Sequence, residues 1–208
     1  MSRRLVSVTL DNLGDVSYRC RRCVFWELEP AAAERAQATG DTEIEKEAWV
    51  SGVLLEWGSC GYVLYVDGVA AGHVLFAPPA MVPRSVAFPT SPVSSDAALL
   101  MSASVRPEFA GQGFGRMLVQ GVARDMVKRG IKAVEAFGTA RPTGPDEPAR
   151  GCLLPVDFLL SVGFKTVRPH PRVPRLRLEL RTTLSWKEDV EYAIERLLAT
   201  ITPTPSPA

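Results

Sequence analysis

Residues 105–130 of the 208-residue chain read VRPEFAGQGFGRMLVQGVARDMVKRG, and no other stretch limits the fold as much. An apolar run, AALLMSASV at 97–105, leads into it. Glycines then stand at alternate positions, Gly111, Gly113 and Gly115. Behind them Leu118, Val119, Val122, Ala123, Met126 and Val127 keep a helical rhythm with one buried face. Lys128, Arg129 and Gly130 mark its end, with basic side chains against the negative pole of the helix and a glycine beyond it. The stretch is therefore a strand, a glycine loop and a helix. The first N–H groups of a helix have no internal partners, and with the aligned peptide dipoles they amount to about half a positive charge. Glycines at that point let a bulky anion reach the main chain without meeting a Cβ. Such a loop suits a phosphate or pyrophosphate; a glycine-rich turn that merely packs against a strand is the other reading. Arg116-Met117 after Gly115 excludes a Walker-type P-loop, and G-x-G-x-G is not the dinucleotide spacing G-x-G-x-x-G.

Similar signals organise the rest of the chain. LVSVTL at 5–10 predicts a first strand, and 16–26 a short helix. Thr42 to Glu45 reads as a capping box opening a helix that runs to Trp57 and stops at Gly58. Asp67-Gly68 between two apolar runs predicts a hairpin. Residues 77–96 hold five prolines, which rules out a central strand or a helix interior. A loop this long is usually functional or mobile, and this one is expected to cover an acceptor pocket. Strands are predicted at 97–105, 132–138, 164–167 and 175–183, with a short helix from Pro155 to Val162 closed by Gly163. Ser185 to Glu188 form a second capping box, and Val190, Ile194, Leu197, Leu198 and Ile201 share a stripe behind it. Hairpins mixed with crossover helices imply an α+β (mixed α/β) fold. The expected division is one domain over 1–184, an amphipathic helix over 185–201 packed on it or at a dimer interface, and a disordered tail over 202–208.

A 46% apolar content supports a sizeable core, and a net charge of +1 gives no field to favour nucleic acid or a membrane surface. No apolar run approaches the ~20 residues of a membrane span, so a cytoplasmic location is expected. Cys20 and Cys23 form a C-x-x-C, while Cys60 and Cys152 stand apart. A zinc site usually draws on two close ligand pairs, and neither His73 nor His170 completes a second, so no metal is expected.

The 105–130 stretch resembles the central motif of the GNAT N-acetyltransferase superfamily. Val105-Arg106-Pro107 matches its strand ending, Gly113-Phe114-Gly115 its glycine pair, and a long helix follows. The order of elements from about residue 3 to 183 is similar too, as is Val162-Gly163-Phe164 after the short helix. The resemblance implies the GNAT fold: a mixed central sheet of about seven strands flanked by helices, here with an added C-terminal helix. It implies acetyl-CoA or another acyl-CoA as donor, and an amine of a small molecule or protein as acceptor. The main-chain N–H groups of Gly111, Gln112, Gly113, Phe114, Gly115 and Arg116 would hold the pyrophosphate. The strand around Ala103 and Val105 would pair with the pantetheine arm, and strand N–H groups would polarise the acyl carbonyl.

Departures from the family pattern are informative. Ala110 stands where Gln or Arg is usual. Leu159 and Cys152 stand where many members carry Tyr and Asn, so the usual proton donor to the departing thiolate is missing. Cys152 is the candidate replacement, since a thiol of pKa near 8.5 suits donation to a similar thiolate; a small packing residue is the other reading. The fourth strand offers Ser102 and Ser104 but no acid. Glu27, in CRRCVFWELEP, is the candidate base; alternatively it is solvated beside core Phe25 and Trp26. His73 reads as a satisfied core or surface histidine. The many acids between Glu27 and Glu56 favour a cationic acceptor, whereas Arg168, Arg172, Arg175, Arg177 and Arg181 favour an anionic partner. Two functions follow: acetyl transfer to an amine by direct attack in a ternary complex, or non-catalytic acyl-CoA binding in a regulatory protein on the same scaffold.

Overall fold

A computed structural model describes residues 2–140 and 152–180; the second capping box, the helix expected over 185–201 and the tail lie outside the described residues. In chain order the elements are β1 (Arg3–Ser7), α1 (Tyr18–Arg21), α2 (Pro30–Thr39), α3 (Thr42–Trp57), β2 (Gly61–Val66), β3 (Val69–Ala77), β4 (Ala97–Val105), α4 (Phe114–Lys128), β5 (Ala133–Thr139), β6 (Leu154–Pro155), α5 (Val156–Ser161), β7 (Lys165–Arg168) and β8 (Arg175–Glu179). They build one mixed sheet in the order β1-β2-β3-β4-β5-β8-β7, with two-residue β6 attached to β5. Only the β4–β5 and β5–β6 pairings are parallel. The sheet has eight strands where about seven are expected, the eighth being too short to leave a periodic signal.

Local chemistry explains where the elements differ from the sequence reading. β1 lies nearer the N-terminus than 5–10, because Arg3 to Ser7 pair with Val66 to Tyr62. Asn12 then turns the chain, accepting from Thr9 N at 2.8 Å and donating to the Ser7 carbonyl at 2.9 Å. Helix α2 has no counterpart in the sequence reading, although Pro30 opens it and Gly40, at φ +83°, closes it. Helix α3 has the expected span, with Gly58 in the left-handed C-cap. Asp41, however, occupies the N-cap position, which puts Thr42 inside the first turn and leaves the expected capping box unformed. Asp67 and Gly68 both have positive φ, the tight hairpin turn the dipeptide predicts.

Both faces of the sheet are covered, which is why its central strands are almost continuously apolar. Along β4 the side chains alternate: Ala97, Leu99 and Met101 pack toward α1 and α3, with Trp26, Val50 and Val53. Ala98 and Leu100 pack toward α4, with Leu118, Val122 and Met126. The segment 77–96 is not an open flap. Val82 is fully buried, and Phe88 stacks on Phe137 at 4.4 Å between ring centroids and leans on Trp26 at 5.4 Å. Thr90 Oγ1 donates to the Val173 carbonyl at 3.1 Å. Prolines limit this segment to short 3-10 turns, Pro79–Met81 and Pro83–Ala87, and its apolar side chains dock it on the sheet.

One irregularity positions the site. β4 and β5 pair only through Ala97–Ala133, Ala98–Val134 and Leu99–Glu135. Beyond that point β4 continues along β3 to Val105, and β5 continues along β8. The two strands part like a fork, and from Leu100 onward the β5-facing edge of β4 pairs with no strand among the described residues. A bulge lies just inside the fork: Leu75 pairs with Ser102 and Phe76 with Leu100, leaving Met101 as the extra residue.

Candidate active site

At one end of the fork is the glycine loop. Gly111 and Gly113 both take left-handed backbone (φ +75° and +79°), and a Cβ on either would meet no atom within 4 Å, so the space over the loop is open. Gly113 is the N-cap of α4 and offers no side-chain cap. Met117 N donates to the Gly113 carbonyl at 3.1 Å; the N–H groups ahead of it belong to the first helical turn, which has no internal acceptor. Gly115 has a different reason to be glycine. A Cβ there would come within 2.9 Å of the Phe158 ring, so its bareness lets α5 pack against the start of α4. Arg116 Nη2 ties the same two helices together by donating to the Ser161 carbonyl at 2.5 Å. Val105, Gly111, Gly113, Gly115, Arg116 and Phe158 are among the residues lining a cleft of about 340 Å³. Phe114 keeps its side chain in the core and contributes main chain alone. Gln112 is exposed, and neither it nor Ala103 is part of the lining.

Three residues back along β4, about 10 Å at strand rise, Ser102 lines a second and much smaller cavity. This one has about 10 Å³, space for a single water, and its walls are Cys20, Cys23, Trp26, Glu27, Lys46, Ser102 and Cys152. Glu27 and Cys152, the two candidates for proton transfer, thus share one cavity. Trp26 fixes its wall, donating from Nε1 to the Cys152 carbonyl at 3.0 Å. Glu27 is 3% exposed, so the solvated reading fails. Its Oε1 accepts from Lys46 Nζ, an ion pair buried on both sides, while Oε2 has no partner. Lys46 is the important residue the sequence reading missed. It reads as a minor counter-charge on an exposed acidic helix, and the signal was that it falls on the same helical stripe as Val50, Val53 and Trp57, about three turns short of Trp57.

The thiols are unequal. Cys152 Sγ lies 3.5 Å from Cys23 Sγ. The hydrogen bond from Cys152 lowers Cys23 to about 7, against the cost of burial. The same bond, with burial, pushes Cys152 well above the ordinary thiol range. Of the two, Cys23 is the more readily ionised and Cys152 the one that keeps its proton. Cys60, fully buried, is pushed up to about 12 by desolvation. His73 is 1% exposed with no partner for Nε2, so it is not the satisfied histidine expected, and burial lowers it to about 4.

The arginine cluster read as an anion site is largely spent on internal partners. Arg175 Nη1 donates to Glu135 Oε2 at 2.7 Å. Arg177 forks onto Asp96 at 2.9 and 3.0 Å and reaches Glu135 Oε1 at 3.1 Å. Arg168 and Arg172 are exposed, and Arg181 lies outside the described residues. Among the described residues no helix is long and apolar enough to cross a membrane, and no three His, Cys, Asp or Glu side chains are grouped to hold a metal ion.

Comparison with known proteins agrees with this geometry. Residues 22–149 match the family described as Acetyltransferase (GNAT) family. No curated protein sequence matches the chain. Among solved structures it is similar to a PaiA N-acetyltransferase from Thermoplasma acidophilum in complex with coenzyme A, at 12% identity and TM-score 0.55, covering 86% of this chain and 99% of that one. An N-acetyltransferase from Staphylococcus aureus Mu50 aligns at 13% identity and TM-score 0.54, over 86% and 99% of the two chains. The loading GNATL domain of CurA from Lyngbya majuscula gives 13% and 0.54, over 88% and 100%. At these identities the likeness is one of fold.

Proposed function

Because the chain belongs to the acetyltransferase (GNAT) family, we propose that it transfers an acetyl group from acetyl-CoA to an amine by direct attack, with both substrates bound. One observation carries the proposal: the unpaired edge of β4 runs from the glycine-lined cleft at Val105 to the small cavity at Ser102. The residues fit the donor. An open, positive-φ loop at the start of a 15-residue helix is a seat for a diphosphate. Free strand edge is what an amide-bearing pantetheine arm pairs with. Main-chain N–H groups near the Met101 bulge are placed to polarise an acyl carbonyl.

The other half of the reaction falls to the buried cavity. A lysine-like amine is protonated at pH 7, and stripping that proton costs about 4.6 kcal/mol. A dry cavity lowers the cost by disfavouring the ammonium form. The unpartnered Oε2 of Glu27 is the acceptor for that proton, and Lys46 holds the carboxylate in place through the other oxygen. Cys152 donates to the departing thiolate from the state in which Cys23 is a neutral thiol, because an ionised Cys23 would hold the Cys152 proton too tightly. Binding without turnover is the second reading, and it draws on Leu159, fully buried where the family often has Tyr.

Coenzyme A release against a panel of small amines and peptides tests both. Turnover with some acceptor, falling about 10²- to 10⁴-fold in Cys152→Ala and in Glu27→Gln, is the expected result. Unchanged turnover in Cys152→Ala removes that thiol from the mechanism. Tight acetyl-CoA binding with no release across the panel decides for the second reading.

A further inference from the structure

The thiol pair has chemistry that acyl transfer does not use. Cys23 lies just beyond α1, half-buried, with Cys152 behind it and Cys20 on the adjoining turn. Cys23 and Cys152 are 129 residues apart in sequence and line the same cavity. Their sulfurs, at 3.5 Å, need to close by about 1.5 Å to reach a disulfide bond length. Neither is in a regular strand or helix, so backbone on both sides can give. We propose that Cys23 and Cys152 form a dithiol site that hydroperoxides oxidise to a reversible disulfide across the cavity. That this disulfide also stops acyl transfer rests on the function proposed above.

The steps balance. Cys23 thiolate attacks the outer oxygen of the hydroperoxide; an S–O bond forms, the O–O bond breaks, and the alkoxide leaves and takes a proton from solvent to become the alcohol. Cys23 is now a sulfenic acid. Cys152 then attacks the Cys23 sulfur; the S–S bond forms, the S–O bond breaks, and hydroxide takes the Cys152 proton to leave as water. Two thiols lose one electron each, and the peroxide gains both. A low-molecular thiol reverses the reaction. Among the four cysteines, Cys23 is suited to the first attack by its depressed pKa and partial exposure, whereas Cys60 is buried and held protonated. Glu27 opposes the Cys23 thiolate and Lys46 favours it, and the Cys152 hydrogen bond outweighs both. Closure removes the Cys152 proton and pulls the loop after α1 onto the segment before β6.

The full-length chain is treated with a small molar excess of hydrogen peroxide, alkylated, digested without reduction and read by peptide mass. A Cys23–Cys152 linked peptide, lost on adding dithiothreitol and retained in Cys20→Ser, is expected. Cys152→Ser should instead accumulate a sulfenic acid at Cys23 that dimedone traps. Linkage of Cys23 to Cys20, or Cys23 and Cys152 both alkylated after treatment, overturns the proposal. A second readout is coenzyme A release before and after oxidation, expected to fall about a hundredfold and return with thiol. A linked peptide with unchanged release overturns the blocking role. A linked peptide with no release in either redox state supports the dithiol and counts against the acyl-transfer reading instead.

Discussion

Burying His73 makes the stability of this protein depend on mild acid. Its imidazole is 1% exposed on β3, and burial, with Lys46 as a second cause, lowers its pKa from 6.5 to about 4. A histidine lowered in the fold takes up its proton more readily when unfolded. Between pH 6.5 and 4 the unfolded chain therefore binds more protons, and stability falls as pH falls. The contribution is intact above the unfolded value and is lost progressively below it. With those two values, stepping from pH 7 to pH 5 costs about 2 kcal/mol, and going below pH 4 costs about 3 kcal/mol. Urea unfolding followed by tryptophan fluorescence, at pH 7 and pH 5, measures this. His73→Leu removes the titrating group, so the variant should lose about 2 kcal/mol less than the wild type over that step, whatever its stability at pH 7. Two curves that fall in parallel would show that His73 is protonated in the fold or reached by water, and the burial argument would be wrong.

Two further outcomes follow from the geometry. Lys46→Met strands the Glu27 carboxylate in a dry site and should cost about 3–5 kcal/mol; pairing it with Glu27→Gln should recover part of that in denaturant melts, since breaking one side of a buried pair costs more than removing both. Gly113→Ala forces a side chain into left-handed backbone and Gly115→Ala pushes a methyl into Phe158; each should cost about 1–2 kcal/mol in stability and weaken coenzyme A binding by calorimetry, while Ala110→Gly should do neither.

The strand, glycine loop and helix at 97–128 were legible because each carries a local signal: continuous apolar residues, alternate glycines, a four-residue rhythm and a basic end. The hairpin at Asp67-Gly68 and the stop at Gly58 were legible for the same reason, since positive φ selects glycine. What the sequence hid was long-range. Glu27 and Lys46 are 19 residues apart, and their burial depends on α3 lying over the sheet. Cys23 and Cys152 meet only because the loop after α1 and the segment just before β6 line the same cavity. The arginines of β8 look like a cationic surface until Asp96, from the turn before β4, and Glu135, from β5, are placed beside them. Helix α2 was missed although Pro30 and Gly40 mark its ends, because AAAERAQAT has too few large apolar residues to show a stripe.

Glu135 gives the fork a consequence of its own. It belongs to the last pair of the seam joining the two half-sheets, fully buried, gripped by Arg175 and Arg177 from one side and by Ser94 N at 3.2 Å from the other. That clasp sets where the parting starts. Moving the start by one residue would lengthen or shorten the wedge by about 3.3 Å. Under the proposed acyl transfer, the depth of that wedge is thus governed from behind, by a carboxylate on the far side of the seam.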